Sequence, residues 1–286
     1  MNIRFGTVGS PQGTPGSGTP AAIAYIRELG LSALEIAWVR SVRVKDETCE
    51  LMKAAAEEHD VKLSVHAPYY INLNSQTDEL MQKSDDRLLA AARKGFLAGA
   101  REIVFHPGSY HEQPPDQVYE RAKAHLAELR DLLRGEGVEV VLRPETMGKS
   151  AMFGSLEELV RMGAELDDVA PCIDIAHLHA RPGDGSFNSY DEFAAMFELV
   201  KSELGAEGLA DMHFHLSGIE YGPKGEKNHV ILEESDLEWR AFLQACVDFN
   251  IRGTIVVESP NLEEDALLIQ RAYEELAGAT TADTPT

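Results

Sequence analysis

The chain has 286 residues, 44% hydrophobic and 26% charged, a length that suits one α/β barrel and a composition that excludes a disordered chain. No apolar run approaches a membrane span, and Met1–Val8 lacks the features of a secretory signal, so a cytoplasmic location without membrane attachment is expected. A formal net charge of −22 excludes a surface generally attractive to nucleic acid, and any DNA partner would need a local basic patch.

Strand-like apolar runs alternate with amphipathic helix-like stretches along the whole chain. Residues 2–8 read as the first strand, followed by a Gly-, Pro-, Ser- and Thr-rich crossing from Gly9 to Pro20 and a helix over 20–29. The second strand, 32–38, leads into a loop with Arg40, Arg43 and Lys45 and then a helix over 46–59. Strand 62–67 ends in His66-Ala67-Pro68-Tyr69 before a helix over 79–98, and strand 101–106 ends in Phe105-His106-Pro107-Gly108 before a helix over 116–134. Strand 139–145 ends in Pro144-Glu145-Thr146, with a helix over 155–164. Strand 170–175 runs into Asp174-Ile175-Ala176-His177, then an insertion from Arg181 to Ser189 and a helix over 189–204. Strand 210–216 contains His213-Phe214-His215-Leu216; the long segment Ser217–Glu234 after it holds Lys224, Lys227 and Asn228-His229, and a helix over 236–248 follows. Strand 253–259 carries Val257-Glu258-Ser259-Pro260, with a last helix over 262–277. Eight such units predict a TIM (β/α)8 barrel, a single domain over 1–278, with a small polar tail over 279–286 expected to be disordered.

In this fold the carboxyl ends of the strands converge on one face, where active sites form. Imidazoles and carboxylates stand at every such end from the third strand onward. Burying so many ionisable groups together without a cation would be costly, which points to a multinuclear metal site. Neutral imidazole and carboxylate together suit zinc or manganese, with a bridging carboxylate able to hold two ions for hydrolytic chemistry. Cys49, Cys172 and Cys246 are odd in number and form no CxxC pair, which argues against a disulfide framework or a thiolate zinc site.

The segments HAPY, FHPG, PET, D-x-x-H, HL and VE, in this order, resemble those of the endonuclease IV family of apurinic/apyrimidinic endonucleases. The resemblance implies a zinc-dependent phosphodiesterase of base excision repair that cuts DNA 5′ to abasic sites with water activated by the metals, and with damaged DNA as its partner. It further implies that His66 and His106 bind one zinc, that Glu145 bridges it to a second held by Asp174, His215 and Glu258, and that His177 and His229 hold a third. Glu145 and Glu258 are the expected catalytic carboxylates. His215 is preferred over His213 because Leu follows it, and His213 shares its strand parity, so it could face the barrel interior as a supporting partner. The family's aspartate two residues before the last histidine is replaced by Lys227, and Glu226 is the candidate substitute, which predicts a weaker third ion. Tyr69, Arg40 and Lys224 are candidate DNA contacts. A single-metal sugar isomerase or epimerase stays open as an alternative, because Glu145, Asp174, His215 and Glu258 match its two glutamates, aspartate and histidine. A third reading is a catalytically idle metal- or damage-binding module.

Overall fold

The computed structural model describes residues 2–282. Its first half runs β1 (Ile3–Val8), α1 (Thr19–Glu28), β2 (Ala33–Ala37), α2 (Asp46–His59), β3 (Lys62–His66), α3 (Asp78–Leu97), β4 (Glu102–Phe105), α4 (Pro115–Gly135) and β5 (Val141–Pro144). The second half runs α5 (Leu156–Glu165), β6 (Cys172–Asp174), α6 (Ile175–Ala180), α7 (Tyr190–Leu209), β7 (Met212–His215), β8 (Gly218–Gly222) and β9 (Gly225–Val230). It ends with α8 (Trp239–Asp248), β10 (Gly253–Val257) and α9 (Glu263–Ala282). Eight strands pair in the order β5-β4-β3-β2-β1-β10-β7-β6, all parallel. The ring closes between β5 and β6, where pairing shrinks to two isolated bridges, Leu142 with Val169 and Glu145 with Cys172. This is the TIM barrel expected from the eight units.

Local chemistry sets the helix starts. The Thr77 hydroxyl accepts from the Leu80 amide at α3, and Ser155 and Glu158 form a reciprocal capping box at α5. Strand alternation then divides the side chains. On β7, Met212 and Phe214 join the hydrophobic core under the helices, where Phe214 packs edge-on to Phe197 and Phe242, while His213 and His215 take the opposite face, inside the barrel. On β3, Leu63 and Val65 likewise pack in the core, leaving Ser64 and His66 to the interior.

Two elements were not anticipated. Immediately after Asp174 the chain is already a short helix, α6, because the Asp174 carboxylate accepts the His177 amide at 2.7 Å and caps it. The segment after β7 folds into an antiparallel hairpin, β8–β9. At the other end, α9 continues to Ala282, through residues 279–282 that were expected to be disordered; 283–286 lie outside the described residues. Among the described residues no helix is long and apolar enough to cross a membrane.

Candidate metal centre

Glu145, the residue after β5, is buried completely and stands at the middle of the site. Its Oε2 faces His66 Nε2 at 3.2 Å and His106 Nε2 at 3.3 Å; its Oε1 faces His177 Nδ1 at 3.0 Å and His215 Nδ1 at 3.7 Å. The two oxygens of one carboxylate therefore address two separate groups of imidazoles. Glu258, after β10, repeats the arrangement: Oε1 lies 3.9 Å from His215 Nδ1 and Oε2 lies 3.3 Å from His229 Nε2. Asp174 Oδ2 sits 3.6 Å from His177 Nδ1 and 3.9 Å from His215 Nδ1. Five sets of donor atoms lie within 4.8 Å internally; three gather at the strand ends, namely His66, His106 and Glu145; Glu145, Asp174, His215 and Glu258; and Asp174, His177 and His229, while Glu35, His66 and His215 and Cys172, His213 and His215 form two more.

The imidazoles are oriented by what their other nitrogen does. His66 Nδ1 donates to the Ala67 carbonyl at 3.0 Å, and His177 Nδ1 to the Thr146 carbonyl at 2.9 Å. His229 Nδ1 pairs with the Ser217 hydroxyl at 2.7 Å. In each case Nε2 is left to face the carboxylates. His215 is turned the other way: its Nε2 donates to Glu35 Oε1 at 2.9 Å, and Nδ1 faces the site.

Four buried atoms here have no hydrogen-bond partner: Glu145 Oε1, Asp174 Oδ2, His215 Nδ1 and Glu226 Oε2. His177 Nδ1 approaches Glu145 Oε1, but its proton is directed at Thr146. Three unmet carboxylate oxygens and one unmet imidazole lone pair in one buried cluster fit divalent cations, which would satisfy all of them at once. The electrostatics agree. Burial pushes the Glu145 carboxyl up, yet His106 and His215 outweigh it and hold it well below the usual carboxylate range. Asp174 goes the other way, raised chiefly by burial. Burial lowers the histidines, but their neighbours outweigh it: His66 is pushed up to about 9 with Glu145 as the main cause, His177 rises with Asp174 as the main cause, and His215 rises with Cys172 first and then Glu35, Glu258 and Glu145.

The hairpin explains how the chain copes with Lys227. Glu220 pairs with Asn228 and Tyr221 with Glu226, so Lys227 is an extra residue, a β-bulge that shifts the alternation by one. Glu226 thereby shares a face with His229, and its Oε2 reaches His177 Nε2 at 3.2 Å, while Lys227 turns out to pair with Glu220 at 3.0 Å. Lys227 does not confront the cluster, contrary to what its sequence position suggested. Gly148 makes the room, since a Cβ there would collide with the Glu226 carboxylate. Lys149 pairs with Glu226 Oε1 at 3.3 Å, and His177 together with Lys149 lowers its carboxyl against the upward push of burial.

An open cavity of about 420 Å³ leads to the cluster, lined by the apolar Val8, Ala37 and Val39, by Tyr69, and by His106, His177, Glu226, His229 and Glu258. The lining Tyr69 is half-exposed, its ring stacked on His106 with centroids 5.1 Å apart. Arg40 and Lys224 are both exposed and neither lines the cavity; Arg40 follows Val39, and Lys224 is at the tip of the β8–β9 hairpin. All eight expected ligands and Glu226 are thus brought together, and the two basic candidates stay outside.

Sequence reasoning anticipated His213 as an interior supporting partner but missed Glu35, Glu102 and Arg143 in the layer beneath. Glu35 on β2 accepts from His215, from His213 Nε2 at 2.9 Å and from the Ser64 hydroxyl at 2.7 Å. His213 Nδ1 faces Glu102 Oε2 at 3.0 Å, and Glu102 Oε1 takes two bonds from Arg143, which also reaches Asp211. The signal was a charged residue inside an apolar strand run, as in Leu34-Glu35-Ile36 and Leu142-Arg143-Pro144.

A closed α/β barrel with buried carboxylates and imidazoles clustered at the strand ends is a metal-dependent barrel enzyme in class. The chain belongs to the xylose isomerase-like TIM barrel family, whose model matches residues 23–277. It is 39% identical over 272 residues to the uncharacterized protein MJ0133 of Methanocaldococcus jannaschii, covering 95% of this chain and 97% of that one. It is 28% identical over 214 residues to a probable endonuclease 4 of Mycoplasma pneumoniae, covering 72% and 71%. Among solved structures, a D-tagatose 3-epimerase-like protein superposes with a TM-score of 0.73 at 16% identity, covering 98% of this chain and all of that one, a likeness of fold.

Proposed function

We propose that this protein is a divalent-metal phosphodiesterase of the endonuclease IV type that cuts DNA 5′ to abasic sites. The observation that carries this reading is the surplus of imidazoles. Glu145, Asp174, His215 and Glu258 suffice for one ion, and a one-metal enzyme leaves His66, His106, His177, His229 and the unmet Glu226 oxygen without a purpose. The relative named as a probable endonuclease 4 supports the same direction.

His66, His106 and Glu145 would hold one ion, Glu145, Asp174, His215 and Glu258 a second, and Asp174, His177, His229 and Glu226 a third. Zinc or manganese bound there would lower the pKa of water and neutralise charge gathering on phosphoryl oxygens. The residues of the chain fix the rest. Glu145 and Glu258 each hold two oxygens in place toward different donor sets, so they fix the spacing between the sites. Val8, Ala37 and Val39 offer an apolar wall to a deoxyribose, and the half-exposed Tyr69 ring offers a face to a displaced nucleotide. Arg40 and Lys224 would meet phosphates on either side, against the repulsion of a net charge of −22.

A second reading, a one-metal sugar isomerase or epimerase, is favoured by the compactness of the Glu145, Asp174, His215 and Glu258 set. The two separate in a direct assay. Purified protein supplied with zinc or manganese is incubated with an end-labelled duplex carrying one abasic site and, in parallel, with a panel of ketoses. Incision at the 5′ side of the lesion, leaving a 3′-hydroxyl, is expected; ketose interconversion without incision would replace the phosphodiesterase reading with the epimerase one.

A further inference from the structure

The four imidazoles of the cluster that have an identified second partner do not all have the same kind. His66 and His177 lean on backbone carbonyls and His229 on a serine hydroxyl, all through Nδ1. His215 alone leans on a carboxylate, and alone does so through Nε2. That carboxylate, Glu35, is wholly buried on β2; it lies close enough to His66 and His215 to form a donor set with them, but both of its oxygens are already taken by hydrogen bonds and neither is left unmet. Its Oε1 takes His215 Nε2 at 2.9 Å, and its Oε2 takes both His213 Nε2 at 2.9 Å and the Ser64 hydroxyl at 2.7 Å.

We infer that Glu35 is a positioning residue for the metal centre: it fixes His215 with the proton on Nε2 and the Nδ1 lone pair aimed between Glu145, Asp174 and Glu258. The inference rests on the metal reading and deepens it. Three features of the geometry support it. An imidazole in a site lined by carboxylates is drawn to turn a proton toward them, which would cap the lone pair a cation needs. A carboxylate on the far nitrogen settles that choice, and a charged acceptor makes the facing nitrogen a stronger donor to a metal than a neutral carbonyl does. The Glu35 carboxylate cannot itself rotate away, because Ser64 and His213 hold its other oxygen. Behind His213 the series continues through Glu102 to Arg143 and Asp211, so the aim of one ligand is anchored across the barrel to its opposite end.

A purely structural account makes Glu35 an internal partner for His213, and that account predicts different results. The test is Glu35→Gln in the full chain, with cobalt(II) and zinc as probes. The amide is the same size, and turning its NH2 toward His215 would force Nε2 to accept and place the proton on Nδ1. Cobalt affinity, read by chelator competition, is expected to fall about ten- to a hundred-fold. Long-range proton–nitrogen spectra of the zinc-loaded parent are expected to show His215 protonated on Nε2 and bound through Nδ1. A folded Glu35→Gln protein with parental cobalt affinity overturns the inference, as does a parent in which His215 binds zinc through Nε2. Should Glu35→Gln fail to fold, Ser64→Ala keeps the carboxylate but releases one of its three donors, and a several-fold loss of cobalt affinity is expected; unchanged affinity there counts against the inference. A parent that holds neither ion removes the metal reading and this one with it, whereas a parent that holds them beside an equally competent Glu35→Gln removes this one alone.

Discussion

Two polar layers share the barrel interior, and they are finished to different degrees. Toward the amino ends of the strands, Glu102 meets Arg143, Lys62 and His213, and Arg143 also meets Asp211 and the Pro171 carbonyl. Toward the carboxyl ends, Glu145, Asp174, His215 and Glu226 each keep a buried atom without a partner. Residue types alone do not separate the layers, since both are carboxylates and bases. Saturation does: the complete network holds strands together, and the incomplete one has room for what completes it.

Substitution should expose that contrast most sharply at its two centres. Glu145→Gln removes the charge shared by two donor sets without changing size, and turnover on abasic duplex should fall to background while circular dichroism stays that of the parent. Near-parental turnover would remove Glu145 from the centre of the chemistry. Arg143→Met should do the reverse. It strands Glu102, so chemical denaturation should show a loss of about 3–5 kcal/mol, while the protein that remains folded binds cobalt as tightly as the parent. If Arg143→Met lost the metal and kept its stability, the two layers would not be separate devices.

Acidity gives the next largest effect. His66 has a folded pKa of about 9 against about 6.5 unfolded. In ion-free protein its contribution to stability is therefore full below about pH 6.5 and is lost as pH rises through about 9. Zinc should invert the slope, because the protons that stabilise the empty cluster are the ones a cation displaces, so the thermal shift produced by zinc grows over the same window. Melting curves with zinc and with chelator from pH 6 to 9 test this; parallel curves would mean that protons and cations do not compete.

Smaller effects belong to the rebuilt third set and to the rim. Glu226→Gln should weaken one ion about tenfold and leave the others, seen as one altered step in a metal titration. Lys227→Asp should add nothing, since the bulge turns that residue to Glu220 rather than to His177. Smallest of all, Lys224→Ala or Arg40→Ala should lower duplex affinity evenly across sequences and reduce the salt slope by about one. Unchanged slopes in both would place DNA elsewhere on the surface.

Much of this is legible in the sequence. Apolar runs gave all eight barrel strands to within two residues at either end, because parallel strands buried on both faces write near-continuous apolar stretches. His66, His106, Glu145, Asp174, His215 and Glu258 were legible because this fold gathers strand ends on one face. Glu226 was harder: a register shift is a property of two paired strands, and nothing in Gly225-Glu226-Lys227-Asn228 announces where the extra residue falls. Glu35 was missed because its importance lies in which nitrogen of His215 it takes, and orientation is not written in residue type. The helix at Ile175 was hidden for a related reason, as Asp174 reads as a ligand and also serves as a cap.

The seam between β5 and β6 carries a consequence in time. Only two bridges join these strands, and Glu145 stands on one side of the join with Asp174 on the other; the Thr146 hydroxyl accepts the Asp174 amide between them at 2.9 Å. A cation held by both carboxylates would clasp the barrel at its thinnest stretch of pairing. The opening that exposes the interior would then have to wait for the ion to leave, so the half-life of the folded chain against proteolysis or heat would follow the dissociation rate of the metal as much as the strength of the hydrophobic core. Zinc and manganese, exchanging at different rates, would give one sequence two different lifetimes.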